Sequence, residues 1–147
     1  MDRDDNVVRP VLRAMRNGRI LSTFPDVRAR VAGRTVRFLG GDAHIPMGIA
    51  LFARLAQVPI IPTVATRVGW ARHRWRTFDP IYPDPTLDRD EDLHRMTQAM
   101  MDVFDRLIRE EPEQYFWFNG RWILDPLPPK RPVAPDVTLD SKASTGD

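Results

Sequence analysis

Three histidines, His44, His73 and His94, are the only imidazoles in the chain, and cysteine is absent. A hydrolytic or acyl-transfer mechanism that used a general base would therefore have to draw on one of these three. A base of that kind is oriented by a carboxylate. Asp42 stands near His44, while His73 lies in an arginine-rich stretch and His94 follows Leu93. None of them falls into a Ser, His and Asp relay at a known spacing, and each reads as a structural or surface residue instead. Lack of cysteine removes a thiol nucleophile, disulfides and cysteine-based metal sites.

The second group with chemical potential is basic. Arg67, Arg72, Arg74 and Arg76 are interleaved with Trp70 and Trp75. Arginine matches phosphate bidentately, and tryptophan favours membrane interfaces. Near anionic lipid such a segment gains about 1 kcal/mol per cation. A solvated edge strand would carry the same residues. Gly40-Gly41 before a helical segment is compatible with phosphate binding at a helix N-terminus or with a plain turn. The formal net charge of +2 in 147 residues is too small to imply nucleic acid binding, and none is expected.

The elements that must hold these residues are legible in part. Asn6 to Arg16 has apolar residues at helical spacing, and Gly18 follows its end. Arg19 to Phe24 and Val31 to Leu39 read as strands, with Gly40-Gly41-Asp42 as a turn. Pro46 to Gln57 reads as a largely apolar, buried helix. Val58 to Thr66 reads as a strand covered on both faces. That order predicts a βαβ crossover and a parallel pair. Gly69 to Phe78 alternates as a strand, and Pro80, Pro83 and Pro85 mark an extended loop. Asp90 to Glu110 is the clearest helix: Leu93, Met96, Met100, Met101, Phe104, Leu107 and Ile108 trace one stripe. Its methionines suit either an acyl groove or plain core. Tyr115 to Phe118 reads as a short strand or helix. Composition is ordinary for a globular protein, at 42% hydrophobic and 29% charged. No apolar run reaches the ~20 residues of a membrane span, and the N-terminus has no signal-peptide character.

Pro112 to Trp122, with Glu113-Gln114, Tyr115-Phe116-Trp117 and Arg121-Trp122 after a long helix, resembles the closing motif of the bacterial lipid A biosynthesis acyltransferases. It departs at Asn119-Gly120, where that family usually has His and a basic residue. Upstream, Leu12 to Asp26, Phe38-Leu39-Gly40, Pro46 to Ala50 with Leu55-Ala56, and Val58 to Pro62 with Arg67 follow in the family's order. Coverage is roughly Val7 to Leu127.

The resemblance implies an α/β fold: a partial glycerolipid-acyltransferase-like fold, with a mixed, mostly parallel sheet and flanking helices. Residues 1–127 would form the carboxyl-terminal portion of an acyltransferase domain, and 128–147 a disordered, proline-rich tail. It implies transfer of a fatty acyl chain from an acyl carrier protein or coenzyme A thioester to a lipid A precursor or related glycolipid, without a further cofactor. The setting would be the cytoplasmic face of the bacterial inner membrane, with peripheral association. By the same resemblance Asp26, Gly40, Arg67 and Arg121 are candidate substrate-binding residues. Arg67 and Arg121 would meet phosphate, and Gly40 would allow close backbone approach. Arg37 stands where the family often has proline. The family's base is a His followed after four residues by Asp or Glu. Here the corresponding residues after His44, His73 and His94 are Ile49, Phe78 and Ala99. The expectation is a fragment lacking that motif, inactive alone and requiring a separate N-terminal half. The alternative is a non-catalytic module that binds lipid headgroups or a membrane surface.

Overall fold

A computed structural model describes residues 5–26 and 33–117. Helix α1 (Asp5–Arg16) is followed by strands β1 (Gly33–Phe38) and β2 (Gly41–Pro46), helix α2 (Gly48–Ala56), strands β3 (Thr63–Arg67) and β4 (His73–Thr77), and helix α3 (Arg89–Glu110). A 3-10 turn, Pro112–Gln114, ends the described chain's regular structure. Pro10 falls inside α1, where its missing N–H forfeits one helical hydrogen bond. Among the described residues no helix is long and apolar enough to cross a membrane.

The fold is mixed α/β, but the expected mostly parallel sheet is not formed. Two separate two-stranded antiparallel sheets take its place, β1 with β2 and β3 with β4. The reason is local. Leu39 (φ 50°) and Gly40 (φ 85°) both adopt left-handed backbone and close a two-residue hairpin in which Phe38 pairs with Gly41. A connection that short joins only antiparallel strands. The expected crossover fails on its second strand as well. Pro59 and Pro62 cannot donate to a ladder, so Val58 to Thr66 yields a strand only from Thr63, preceded by a single bridge between Ile60 and Ile81. Arg19 to Phe24, read as a strand, forms no regular structure.

The core lies between the β1–β2 hairpin, α2 and α3. Val36, Phe38, Ala43 and Ile45 alternate inward from the hairpin and meet Leu93, Met96, Met100 and Met101 of α3. Helix α2 buries only its alanines, Ala50, Ala53 and Ala56. Leu55 is 42% exposed, so this helix is less enclosed than its composition suggests. Small residues on the buried face let α2 approach α3 closely.

Helix α3 is the spine. Asp88 caps it by accepting from the Asp90 N–H at 2.8 Å, and Asp90, Glu91 and Asp92 in its first turn suit the helix dipole. It grips both hairpins through glutamine amides. The Arg37 N–H donates to Gln98 Oε1 at 2.9 Å, and Gln98 Nε2 donates to the Arg37 carbonyl at 2.9 Å. Just beyond the helix, Gln114 does the same for Arg67, at 3.0 and 3.2 Å. Each amide occupies the place of a neighbouring strand.

Gly40 sits in the hairpin turn, and a Cβ there would meet nothing nearer than Arg109 Nη2 at 3.9 Å. Its requirement is therefore backbone conformation, not space. Gly40→Ala is expected to cost about 1–2 kcal/mol, read as a lower urea midpoint with an unchanged slope.

Candidate functional site

The described residues enclose one large cleft of about 920 Å³, within the usual range for ligand sites. Its walls come from several places in the chain. The irregular segment Arg19 to Asp26 forms one side, and Ile49, Phe52 and Ala53 of α2 another. Val58 to Thr66 and Trp75 to Thr77 supply the β side. Met100, Phe104, Leu107 and Ile108 of α3 form the floor together with Phe38. Most of this surface is apolar. Met100 is both core and cleft floor, whereas Met96 and Met101 are fully buried in the core.

A few polar groups interrupt the apolar lining. Tyr115 donates its phenol O–H to Asp26 Oδ2 at 3.2 Å, tying the end of the irregular segment to the far side of α3. Burial, then the charge and hydrogen bond of Asp26, push the Tyr115 pKa well up, so the phenol stays protonated. Tyr115→Phe is expected to loosen the segment by about 1 kcal/mol, seen as faster amide exchange at residues 19–26. Thr66 is 2% exposed. Its Oγ1 and the Nε of Arg76 are buried without a hydrogen-bond partner among the described residues.

The four candidate binding residues do not converge. Asp26 lines the cleft. Gly40 lies in the β1–β2 turn, outside that lining. Arg67, at the end of β3, donates from Nε to the Gly69 carbonyl (3.1 Å) and from Nη2 to the Trp70 carbonyl (2.6 Å). Its guanidinium thus closes its own hairpin and lies over the Trp70 ring at 5.8 Å. Arg121 lies outside the described residues, as do the tail 128–147 and the Arg121 to Leu124 segment.

The basic cluster also divides. Arg76 pairs with Glu111 (3.1 Å) and Glu110 (3.7 Å), and Arg74 pairs with Glu111 (3.2 Å). Among the described residues no histidine lines the cleft. His94 Nε2 lies 3.2 Å from the Thr35 carbonyl, and His73 is exposed at the start of β4. No cluster of possible metal ligands occurs among the described residues.

Sequence reasoning missed Thr66 and Tyr115 as cleft residues and placed Arg76 with a surface patch. Only the β3–β4 register, which sets Val64 opposite Arg76 and Thr66 opposite Arg74, reveals that Thr66 and Arg76 share a face.

The sequence model of the family described as bacterial lipid A biosynthesis acyltransferase matches residues 1–123. No curated protein matches the chain.

Proposed function

The chain belongs to the bacterial lipid A biosynthesis acyltransferase family, and from that premise we propose that it forms the acyl-holding part of an O-acyltransferase. The reaction would move a fatty acyl group from an acyl carrier protein or coenzyme A thioester to a hydroxyl of a lipid A precursor or related glycolipid. The observation that carries this reading is the apolar cleft of about 920 Å³. About ten buried methylenes would contribute about 8 kcal/mol before the costs of association. That is enough to hold a chain while its carboxyl end reacts.

The chemistry needs a base to take the acceptor's proton as its oxygen attacks the thioester carbonyl and the thiolate leaves. His44, His73 and His94 lack a carboxylate at the family's spacing. We therefore assign the base to a portion of the acyltransferase outside these 147 residues, with the whole resting peripherally on the cytoplasmic face of the inner membrane. The purified chain is expected to bind a fluorescent fatty acyl probe yet transfer no acyl group alone. Transfer should appear when it is co-expressed with a half bearing His-x4-Asp or His-x4-Glu, measured by mass spectrometry of the lipid product. Transfer by the chain alone would sink the two-part reading; failure to bind the probe would sink the cleft.

A second reading is a non-catalytic module for lipid headgroups or a membrane surface. Trp70 and Trp75 favour it, being 83% and 74% exposed on the β3–β4 hairpin beside exposed Arg72. Flotation with vesicles of phosphatidylcholine, with and without phosphatidylglycerol, tests it. No dependence on the anionic lipid, and no effect of Arg72→Ala, rules it out.

A further inference from the structure

We propose that Thr66 and Arg76 form the oxygen-binding end of the cleft, taking the carbonyl or carboxylate oxygen of a single fatty acyl group. This deepens the acyl-cleft reading and rests on it.

Both residues line the cleft. They lie on neighbouring strands and on the same face, because Val64 is paired with Arg76 and Thr66 with Arg74. Diagonal neighbours across an antiparallel pair are within reach of one another's long side chains. Each brings a buried polar atom that has no partner among the described residues, Thr66 Oγ1 and Arg76 Nε. Leaving such an atom unpaired costs as much as losing a hydrogen bond, so its retention calls for a reason. Valine would fill the space of Thr66 equally well in this apolar wall; the hydroxyl adds only hydrogen-bonding capacity.

The state of Arg76 sharpens the assignment. Its terminal nitrogens are committed to Glu111 at 3.1 Å and Glu110 at 3.7 Å. Those pairs hold the guanidinium in place and balance much of its charge, and Nε–H is its buried donor without a partner among the described residues. A hydroxyl and a guanidinium N–H on one face of the hairpin are two donors suited to an oxygen acceptor. An alkyl ammonium has no acceptor to offer these donors, and an alcohol oxygen is a poorer acceptor than a carboxylate. The apolar surface around Phe104 and Leu107 selects a long hydrocarbon chain attached to that oxygen.

The test uses the full chain and titrates dodecanoate and dodecanol by calorimetry. Wild type is expected to bind dodecanoate about tenfold more tightly than dodecanol, the worth of one charge-assisted hydrogen bond. Thr66→Val and Arg76→Met should each weaken dodecanoate about five- to tenfold and leave dodecanol within about twofold. Thr66→Ser should restore the lost affinity. Thr66→Val is nearly isosteric, so its thermal midpoint should stay close to wild type and keep the result interpretable. Equal binding of acid and alcohol, with no effect of Thr66→Val, would overturn the oxygen site while leaving the acyl cleft standing. Binding of neither would overturn both.

Discussion

Asp92→Ala is expected to remove about 3–5 kcal/mol of folding stability, measured by urea unfolding at neutral pH. Asp92 is fully buried in the first turn of α3. Its carboxylate accepts from Arg95 Nη2 at 2.6 Å, from Arg54, and from the Asp84 N–H at 3.2 Å. Arg54 in turn donates to the Asp84 and Leu87 carbonyls at 2.8 and 3.0 Å. One carboxylate therefore joins α2, α3 and the proline-rich loop between β4 and α3. Removing it strands the Arg54 guanidinium, 18% exposed, with only the weaker charge interactions of Asp84 and Asp88 to offset it. That penalty exceeds the net worth of the intact pair, because taking both charges out of water was costly already. The exposed pairs Arg34–Asp90 and Arg37–Asp42 belong to a class worth about 0–1 kcal/mol, and their loss should be nearly silent.

The same site sets an acid limit. Burial opposes ionisation of Asp92, but hydrogen bonds from Arg95 and Arg54 outweigh it and hold its pKa below the ordinary 3.8. A depressed folded-state value means that the stabilisation is complete above the unfolded pKa and is lost as pH falls through the folded one. Asp92→Asn, which cannot titrate, should flatten the stability profile below about pH 4.

Phe38→Ala is expected to cost about 3–5 kcal/mol as well, by a different route. Phe38 ends β1, is fully buried, and forms part of the cleft floor. Its truncation leaves a cavity that the surrounding hairpin, α2 and α3 can only partly close. Phe38→Leu, which keeps most of the volume, should cost clearly less. Because the new space is continuous with the cleft, Phe38→Ala should also shift binding toward longer or branched acyl probes. Denaturant titration and a chain-length series separate the two effects.

Helix α3 was legible because its stripe repeats over 22 residues with acids at the start; no other segment offers so many repeats. The β2 strand was hidden. Gly41, Asp42 and Pro46 are poor strand residues, and the alternation of Ala43 and Ile45 with Asp42 and His44 is too short to stand out. Ile20, Leu21 and Phe24 read as a strand by composition, yet find no ladder and instead wall the cleft, with Ile20 94% exposed. Element order points to a parallel sheet but carries no information about the hairpin closed by Leu39-Gly40. The cleft itself draws on residues from Met15 to Phe116, a set that no local pattern marks. Asp26 was singled out by resemblance, and its bond to Tyr115 emerges only when segments 89 positions apart are brought together.

The glutamine grips in α3 and just beyond it also bear on how the chain behaves in a crowd. A two-stranded sheet has two bare flanks, each a template on which a second molecule can polymerise. Gln98 and Gln114 spend their amides on Arg37 and Arg67, capping one flank of each hairpin from within. An invading β-segment must first displace them. Loss of either amide would leave the monomer folded but more prone to fibrillar assembly at high concentration.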